Sequence, residues 1–532
     1  MPMTGRMKTL AATAVMAMAL GLGPAMQGAA AETVLRVKLD GELKEIDPIW
    51  TSNYTVRDHA YMIYDTLFAM DDKYNVQPQM VDKYAVSEDG KTYTLTLRDG
   101  LKWHDGTPVT AKDCIASLKR WGKRDGLGQQ MMARLDKFEQ VDDRTFRIVM
   151  KENWSLVLPA LGKISSTVPF MMPERLANTD AFDQVKEPIG SGPFKMKIDE
   201  WVPGSKIVYV KNQDYVPRKE PPSNAAGGKI AKVDRIEWLV MPDPVTAVNA
   251  LANGEIDYLA TVPPDLTGLV AKNKNVKLQV VNLLGKQVQV VPNHLNPPFD
   301  NVKIRQALQL ALKQEDYMQA MFGKQTEFYQ VCGAVFFCGT KFETEIGTER
   351  VLKQDFAAAK ALLKEAGYDG TPIVMLHATD LPEQNLWGQV GAESLRKAGF
   401  VVNDVTSDWA TVASRRASKK PIAEGGWHLF HTGWAGPDML DPAVNVLVSG
   451  GCVEKAWFGW PCDAELERLR AAFASTSDAA EQKKIADQVQ ARAHEIVTFV
   501  PMGQFRQLTG YRSNVSGVLT APVPFMWNIA KN

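Results

Sequence analysis

The sequence predicts an α/β protein with two lobes and a β-rich insertion between parts of the first. Three observations carry that expectation. The chain has 532 residues, more than one ordinary domain holds. A block after residue 80 alternates apolar and polar residues in the two-residue period of strands. From residue 230 onward, helical and strand patterns take turns, as in layered α/β lobes.

The elements follow in order. "TVLRVKLDGEL" reads as an opening strand. "YAVSEDGKTYTLTLRDGLKWHDG" is a hairpin turning at "EDGK", with Tyr93, Leu95 and Leu97 on one face. "TAKD" resembles a helix cap and starts a helix over "CIASLKRWGK", while "DRTFRIVM" and "KIVYVKN" read as strands. "KVDRIEWLVM", "DPVTAVNALANG" and "EIDYLA" then give strand, helix and strand, with Gly254 as the helix stop, a punctuation that predicts a mostly parallel sheet. The clearest helix is "PFDNVKIRQALQLALKQEDYM", with Asp300 as N-cap and Ile304, Leu308 and Ala311 on one face. "DFAAAKALLKEAGYDG" is a helix stopped at Gly367, "PIVMLHA" a strand, "GQVGAESLRKAG" a helix and "FVVNDVTS" a strand. Residues 464–497 read as a helix pair, and strands near "FVPMG" and "YRSNVSGVL" as a return to the first lobe. The expected division is 32–72 with 189–290 and 503–532 as lobe I, 73–188 as the inserted β-rich domain, and 291–502 as lobe II. Ligands of such folds lie between the lobes, at strand ends.

Arg6 and Lys8, the apolar run Thr9–Leu22 and the small residues Gly28 to Ala31 form an export signal over residues 1–31. The run is too short to span a bilayer, and no cysteine before Cys114 offers a lipid anchor. The mature protein is therefore expected to be exported and unanchored. Lys+Arg and Asp+Glu are 61 each, and losing Arg6 and Lys8 moves the balance from +0 to −2. That argues against a nucleic-acid binder. Five cysteines fit an oxidising compartment. Cys452 with Cys462 and Cys332 with Cys338 are close enough for two local disulfides and lack C-x-x-C spacing. Cys114 reads as a buried apolar thiol.

Catalytic chemistry finds no foothold. There is no P-loop, no G-x-G-x-x-G opening a helix and no G-x-S-x-G elbow. "HEIVT" at His494 has Thr498 where a zincin needs its second histidine, so that histidine is expected to be solvated or capping. In "WHDG", Asp105 reads as a turn residue. No cofactor is implied. A secreted hydrolase, the alternative from another class, would need a nucleophile–base set or a three-ligand metal that the chain does not offer.

"GGWHLFHTGWAGPDMLDP", residues 425–442, concentrates polar and aromatic groups. Glycines rule out a long helix, so "WHLFHTGW" reads as a strand whose residues alternate faces. His428, Phe430, Thr432 and Trp434 share one side, and Trp427, Leu429 and His431 the other. Histidines on opposite faces do not chelate one ion. The loop beyond carries Trp434, Asp438 and Asp441. Asp441 reads as an Asp-Pro turn, which leaves Asp438 as the candidate partner for a cation.

Six landmarks occur in order: "VSEDGKTYTLTLRDGLKWHDGTPVTAKD", "PIGSGPFKM", "ALANGEIDYL", "PFDNVKIRQALQLAL", "AKALLKEAGYDG" and "GWAGPDMLDP". Together they resemble the peptide/nickel class of extracytoplasmic solute-binding proteins of ABC importers. The resemblance implies a three-domain periplasmic-binding-protein fold, hinge closure on a solute and delivery to permease subunits, with no catalysis. It implies a monomeric receptor for a peptide or peptide-like solute, the alternative being a metal chelate or another small organic solute. In dipeptide-binding members an aspartate of the G-W-x-x-D loop takes the ligand ammonium. Asp438 matches, with one extra residue after Trp434. Those members hold the ligand carboxylate with an arginine at the end of a lobe-two strand. Here that stretch is "LHATDLPEQN", which has none, and Arg415 or Arg416 could substitute. Trp434, Trp409, His431, Arg415, Tyr54 and His377 join Asp438 as the candidate ligand-binding set. In a nickel-chelate receptor His431 or His428 would serve.

Overall fold

A computed structural model describes residues 32–476 and 478–532. The export signal expected at 1–31 lies outside the described residues.

Two large sheets organise the chain. The first has seven strands in the order Phe194–Met196, Lys206–Lys211, Arg235–Leu239, Val34–Lys38, Tyr258–Val262, Leu508–Arg512 and Val276–Gln279. The second has six: Tyr329–Gln330, Val500–Phe505, Lys286–Pro292, Leu429–Ala435, Ile373–Ala378 and Val402–Ser407. Strands 286–292 and 500–505 pair with each other across this second sheet. The tail therefore returns to the first sheet only from Leu508.

The sheets are mixed, not mostly parallel. Val34–Lys38 runs parallel to both its neighbours, but the other four pairings of that sheet are antiparallel. In the second sheet only the two pairings of Ile373–Ala378 are parallel. In the second sheet, helix–strand alternation gives the parallel pair Ile373–Ala378 with Val402–Ser407; in the first, the parallel strand Val34–Lys38 arrives from distant sequence, and the near neighbours Phe194–Met196 and Lys206–Lys211 pair antiparallel.

The β-rich segment is a four-stranded antiparallel sheet, Val81–Val86, Thr92–Leu97, Thr145–Met150 and Leu135–Gln140 in spatial order. Tyr93, Leu95 and Leu97 face its core as the alternation required. Helix Ala111–Trp121 closes on this sheet. Thr110 and Asp113 form a reciprocal capping box at its start, and Cys114 is buried in its core face. Asp105 accepts from the backbone and hydroxyl of Thr107, holding the turn before it.

Two helix details differ from expectation. The cap of the helix after residue 300 is Asn301, whose side chain accepts from the Lys303 amide, and the helix ends at Ala311. A second helix, Gln314–Phe322, follows a break at Leu312 and Lys313, both extended. His494 sits in the last turn of Ala479–Ile496 and is fully buried, not solvated, because that helix packs inward against Val302–Ala311. Both disulfides are present, Cys332–Cys338 and Cys452–Cys462. "GSG" at 190–192 is a close-approach element. A Cβ on Gly190 would lie 1.8 Å from the Ile63 carbonyl oxygen, so only glycine fits there.

One apolar cluster joins the β-rich segment, through Trp154 and Leu156, to Trp427, Phe430 and Trp434 of the second sheet. The candidate site lies along this shared surface.

Candidate ligand-binding site

Asp438 follows the strand Leu429–Ala435 in a single 3₁₀ turn, Gly436–Met439. It is 4 % exposed. The Tyr54 hydroxyl donates to its carboxylate at 2.6 Å, and the Ser165 hydroxyl at 2.9 Å. Tyr54 opens the helix Tyr54–Ile63, which Asn53 caps and which is buried along its length. Its hydroxyl also accepts from the Ala435 amide at 2.8 Å. Three segments far apart in sequence thus meet at one carboxylate.

Behind this group lies Arg57. Its guanidinium sits 4.2 Å from the Tyr54 ring centroid, donates to Ser165 at 2.7 Å and pairs with Asp58. Among the described residues no cation forms an ion pair with Asp438. Burial raises its pKa, while the Tyr54 bond, Arg57, Lys163 and Ser165 pull the other way. Asp438 is therefore a desolvated carboxylate held by neutral hydroxyls, a setting in which an ammonium group would be bound strongly.

Trp434 stands on the same strand and packs edge-on against Trp457, with ring centroids 5.3 Å apart. Its indole N–H is buried and finds no acceptor among the described residues. Trp409, at the start of helix Trp409–Arg415, lies beneath the guanidinium of Arg416.

The remaining candidates have other employment. Arg415 donates to the carbonyls of Gly425 and Gly426 and so pins the turn before the strand. His377 is held between Asp404 at 3.0 Å and Asn385, and the Asp404 contact raises its pKa. His431 bonds to the Tyr317 hydroxyl at 3.0 Å, and burial lowers its pKa to about 3. His428 accepts from the Val374 amide and donates to the Pro297 carbonyl. His428, just before the strand, and His431, within it, thus serve different partners in the packing around the second sheet. Asp441 accepts from the Ala443 and Val444 amides, as a turn aspartate does.

Ser165 and Arg57 were not in the sequence-derived set, and Arg416 entered it only as an alternative to Arg415. Ser165 lies in an unpatterned loop with no local signal. Arg57 and Asp58 were detectable only as charges inside a helix whose other residues are largely apolar. Arg416 is 8 % exposed despite its place in the basic stretch "RRASKK".

Residues 75–456 match the family of bacterial extracellular solute-binding proteins, family 5, and the chain belongs to it. These are transport receptors without enzymatic activity, so the hydrolase alternative falls. The chain is 40 % identical over 512 residues to a probable peptide ABC transporter periplasmic-binding protein of Sinorhizobium fredii, covering 95 % of each. It superposes on an Agrobacterium tumefaciens binding protein in complex with agropinic acid with a TM-score of 0.80 at 23 % identity, covering 94 % of this chain and 99 % of that one. A Pseudoalteromonas dipeptide-binding protein in complex with Met-Leu gives 0.79 at 20 % identity, with 94 % and 100 % covered.

Proposed function

We propose that this protein is a periplasmic receptor that captures a peptide or peptide-like solute and delivers it to the permease of an ABC importer. The observation that carries the reading is Asp438, buried, without a cationic partner among the described residues, and contacted from both the Tyr54 helix and the Ser165 loop. A ligand ammonium at Asp438 would gain from being held where these segments meet, and closure is favoured only by such shared contacts. The peptide transporter relative of Sinorhizobium fredii supports peptides as the cargo class.

In this reading residues 1–31 direct export and the protein works as an unanchored monomer. Lobe I is 32–72 with 189–290 and 503–532, the β-rich domain is 73–188 and lobe II is 291–502. Asp438 and Tyr54 hold the solute's cationic end, with Trp434 as an apolar wall. His377, Arg415 and His431 support that wall through their contacts with Asp404 and Asn385, with the Gly425–Gly426 turn and with Tyr317.

The test is mass spectrometry of material released on denaturing the purified protein, followed by calorimetry with Met-Leu and trialanine. Binding is expected for peptides with a free amino terminus and is expected to fail after N-acetylation. Equal affinity for acetylated and free peptides would overturn the role given to Asp438.

A further inference from the structure

The segment Cys332–Cys338, "CGAVFFC", is a largely buried loop closed by its own disulfide. A buried loop must find partners for its backbone away from water. Here buried glutamines supply them. The Cys332 amide donates to the Gln314 side chain at 2.8 Å, and Gln314 donates back to the Cys332 carbonyl at 3.1 Å. Gln504 treats Cys338 in the same way, accepting from its amide at 2.7 Å and donating to its carbonyl at 3.3 Å. Between these ends, Gln490 accepts from the Val335 amide and Gln287 donates to the Ala334 carbonyl. The glutamines come from helices Gln314–Phe322 and Ala479–Ile496 and from strands Lys286–Pro292 and Val500–Phe505. Gln287 and Gln504 stand directly opposite each other in the second sheet.

A core that needed only volume would be filled by apolar side chains. Hydrogen bonds at both ends of a loop instead fix its shape, because each is lost if the loop shifts. The loop's remaining contacts show what that shape serves. The Phe337 amide donates to the Met439 carbonyl at 3.1 Å, one residue beyond Asp438. The Asn445 side chain donates to the Val335 carbonyl at 2.8 Å and caps the next 3₁₀ turn, Val446–Val448, by accepting from the Leu447 amide. Gln289 of the same strand as Gln287 donates to the Met439 sulfur. The turn that carries Asp438 is thus held on its near side by the Gly436 amide on the Gly285 carbonyl, and on its far side by this loop.

We propose that the disulfide loop 332–338 is a positioning element for Asp438: through Phe337 and Val335 it fixes residues 438–445, so that the aim of the Asp438 carboxylate at the solute depends on the Cys332–Cys338 bond. This rests on the reading that Asp438 meets the solute's cationic end. The loop acts through the turn and makes no contact with the solute itself.

The experiment compares wild type, the double variant Cys332→Ala/Cys338→Ala, and Asn445→Ser, which keeps a capping oxygen but is too short to reach Val335. Ligand-free proteins are followed by amide hydrogen exchange read by mass spectrometry, and binding by calorimetry with Met-Leu and N-acetyl-Met-Leu. In the double variant, exchange over 436–445 is expected to speed up by roughly tenfold, while strands Val34–Lys38 and Thr92–Leu97 keep wild-type rates. Affinity for Met-Leu should fall by roughly 2–10-fold, and the preference for a free amino terminus should shrink. Asn445→Ser should move both readouts in the same direction by less. Unchanged exchange over 436–445, or exchange faster in every segment alike, would overturn the proposal, since the loop would then serve the fold in general. Faster exchange over 436–445 with affinity and amino-terminal preference both unchanged would overturn it too. If wild type binds neither peptide, the peptide reading fails separately, and the exchange pattern alone decides the loop's role. If the double variant does not fold, Asn445→Ser decides by the same criteria.

Discussion

Two buried charge clusters in this protein look alike by exposure and differ in how they are balanced. At Asp65, the Lys229 ammonium donates at 2.7 Å, the Tyr215 hydroxyl at 2.9 Å and the Thr66 amide at 2.9 Å, and both members of the ion pair are essentially inaccessible. At Asp438, only two neutral hydroxyls donate, and along the same wall Arg416 has no partner among the described residues. A buried charge that serves the fold alone is paired within the chain, since its desolvation is otherwise unrecovered. One left short of a counter-charge is better suited to a partner from outside. The contrast separates scaffold from site where burial alone does not.

The largest expected break of this contrast is on the scaffold side. Asp47 receives both terminal nitrogens of Arg120 and the Val185 amide. Asp47→Ala would leave Arg120 buried and unpaired, and should destabilise the protein by about 3–5 kcal/mol, read by denaturant unfolding. A change under 1 kcal/mol would mean that water or relaxation replaces the carboxylate.

On the site side, Asp438→Asn should leave the melting temperature close to wild type and weaken binding of amino-terminal peptides by roughly 10–100-fold. Unchanged affinity in calorimetry would return Asp438 to the scaffold class. Tyr54→Phe removes one donor to Asp438 and one acceptor for the Ala435 amide. It should cost about 0.5–1.5 kcal/mol of binding, a several-fold loss. The same substitution abolishing expression would mark Tyr54 as structural.

The gentlest test is pH. Burial lowers the pKa of His59, His294 and His431 to about 3 and of His104 and His494 to about 4, from 6.5. These imidazoles are neutral when folded and take up protons only on unfolding below about pH 6.5. Their contribution is complete above that pH and is lost as pH falls toward 4, so the melting temperature should drop across this window. His377, raised by Asp404, and the buried carboxyl of Asp58, raised by desolvation to about 6, oppose the trend, as do the raised carboxyls of Glu383, Asp438 and Asp441. Histidine C–H resonances followed by NMR should show these five rings unprotonated down to about pH 5; titration near 6.5 in the folded protein would overturn the account.

Much of the fold was legible because local pattern and tertiary need agree. The hairpin at "EDGK" closes as read, and Gly254 ends its helix with φ +82. Parallel pairing was over-read, since the sheets also take in antiparallel pairs outside the helix–strand alternation, such as Phe194–Met196 with Lys206–Lys211. Of the site, Asp438 and Trp434 were readable from a loop leaving a strand, and Tyr54 meets Asp438 as a candidate pair. Arg415 and Arg416 are adjacent, and nothing local tells which one is buried. The structure gives Arg415 two backbone carbonyls and Arg416 an aromatic surround.

The sequence by itself determined the elements, the hairpin, the capping box and the residue types able to hold a charged solute, because propensity, period and capping act over a few residues. Only the tertiary structure decided which charges are balanced. Lys229 reaches Asp65 across 164 positions and Ser165 reaches Asp438 across 273, whereas Arg416 reaches no anion of the described chain. Whether a buried charge has a counter-charge depends on contacts between distant segments, and no local pattern records those.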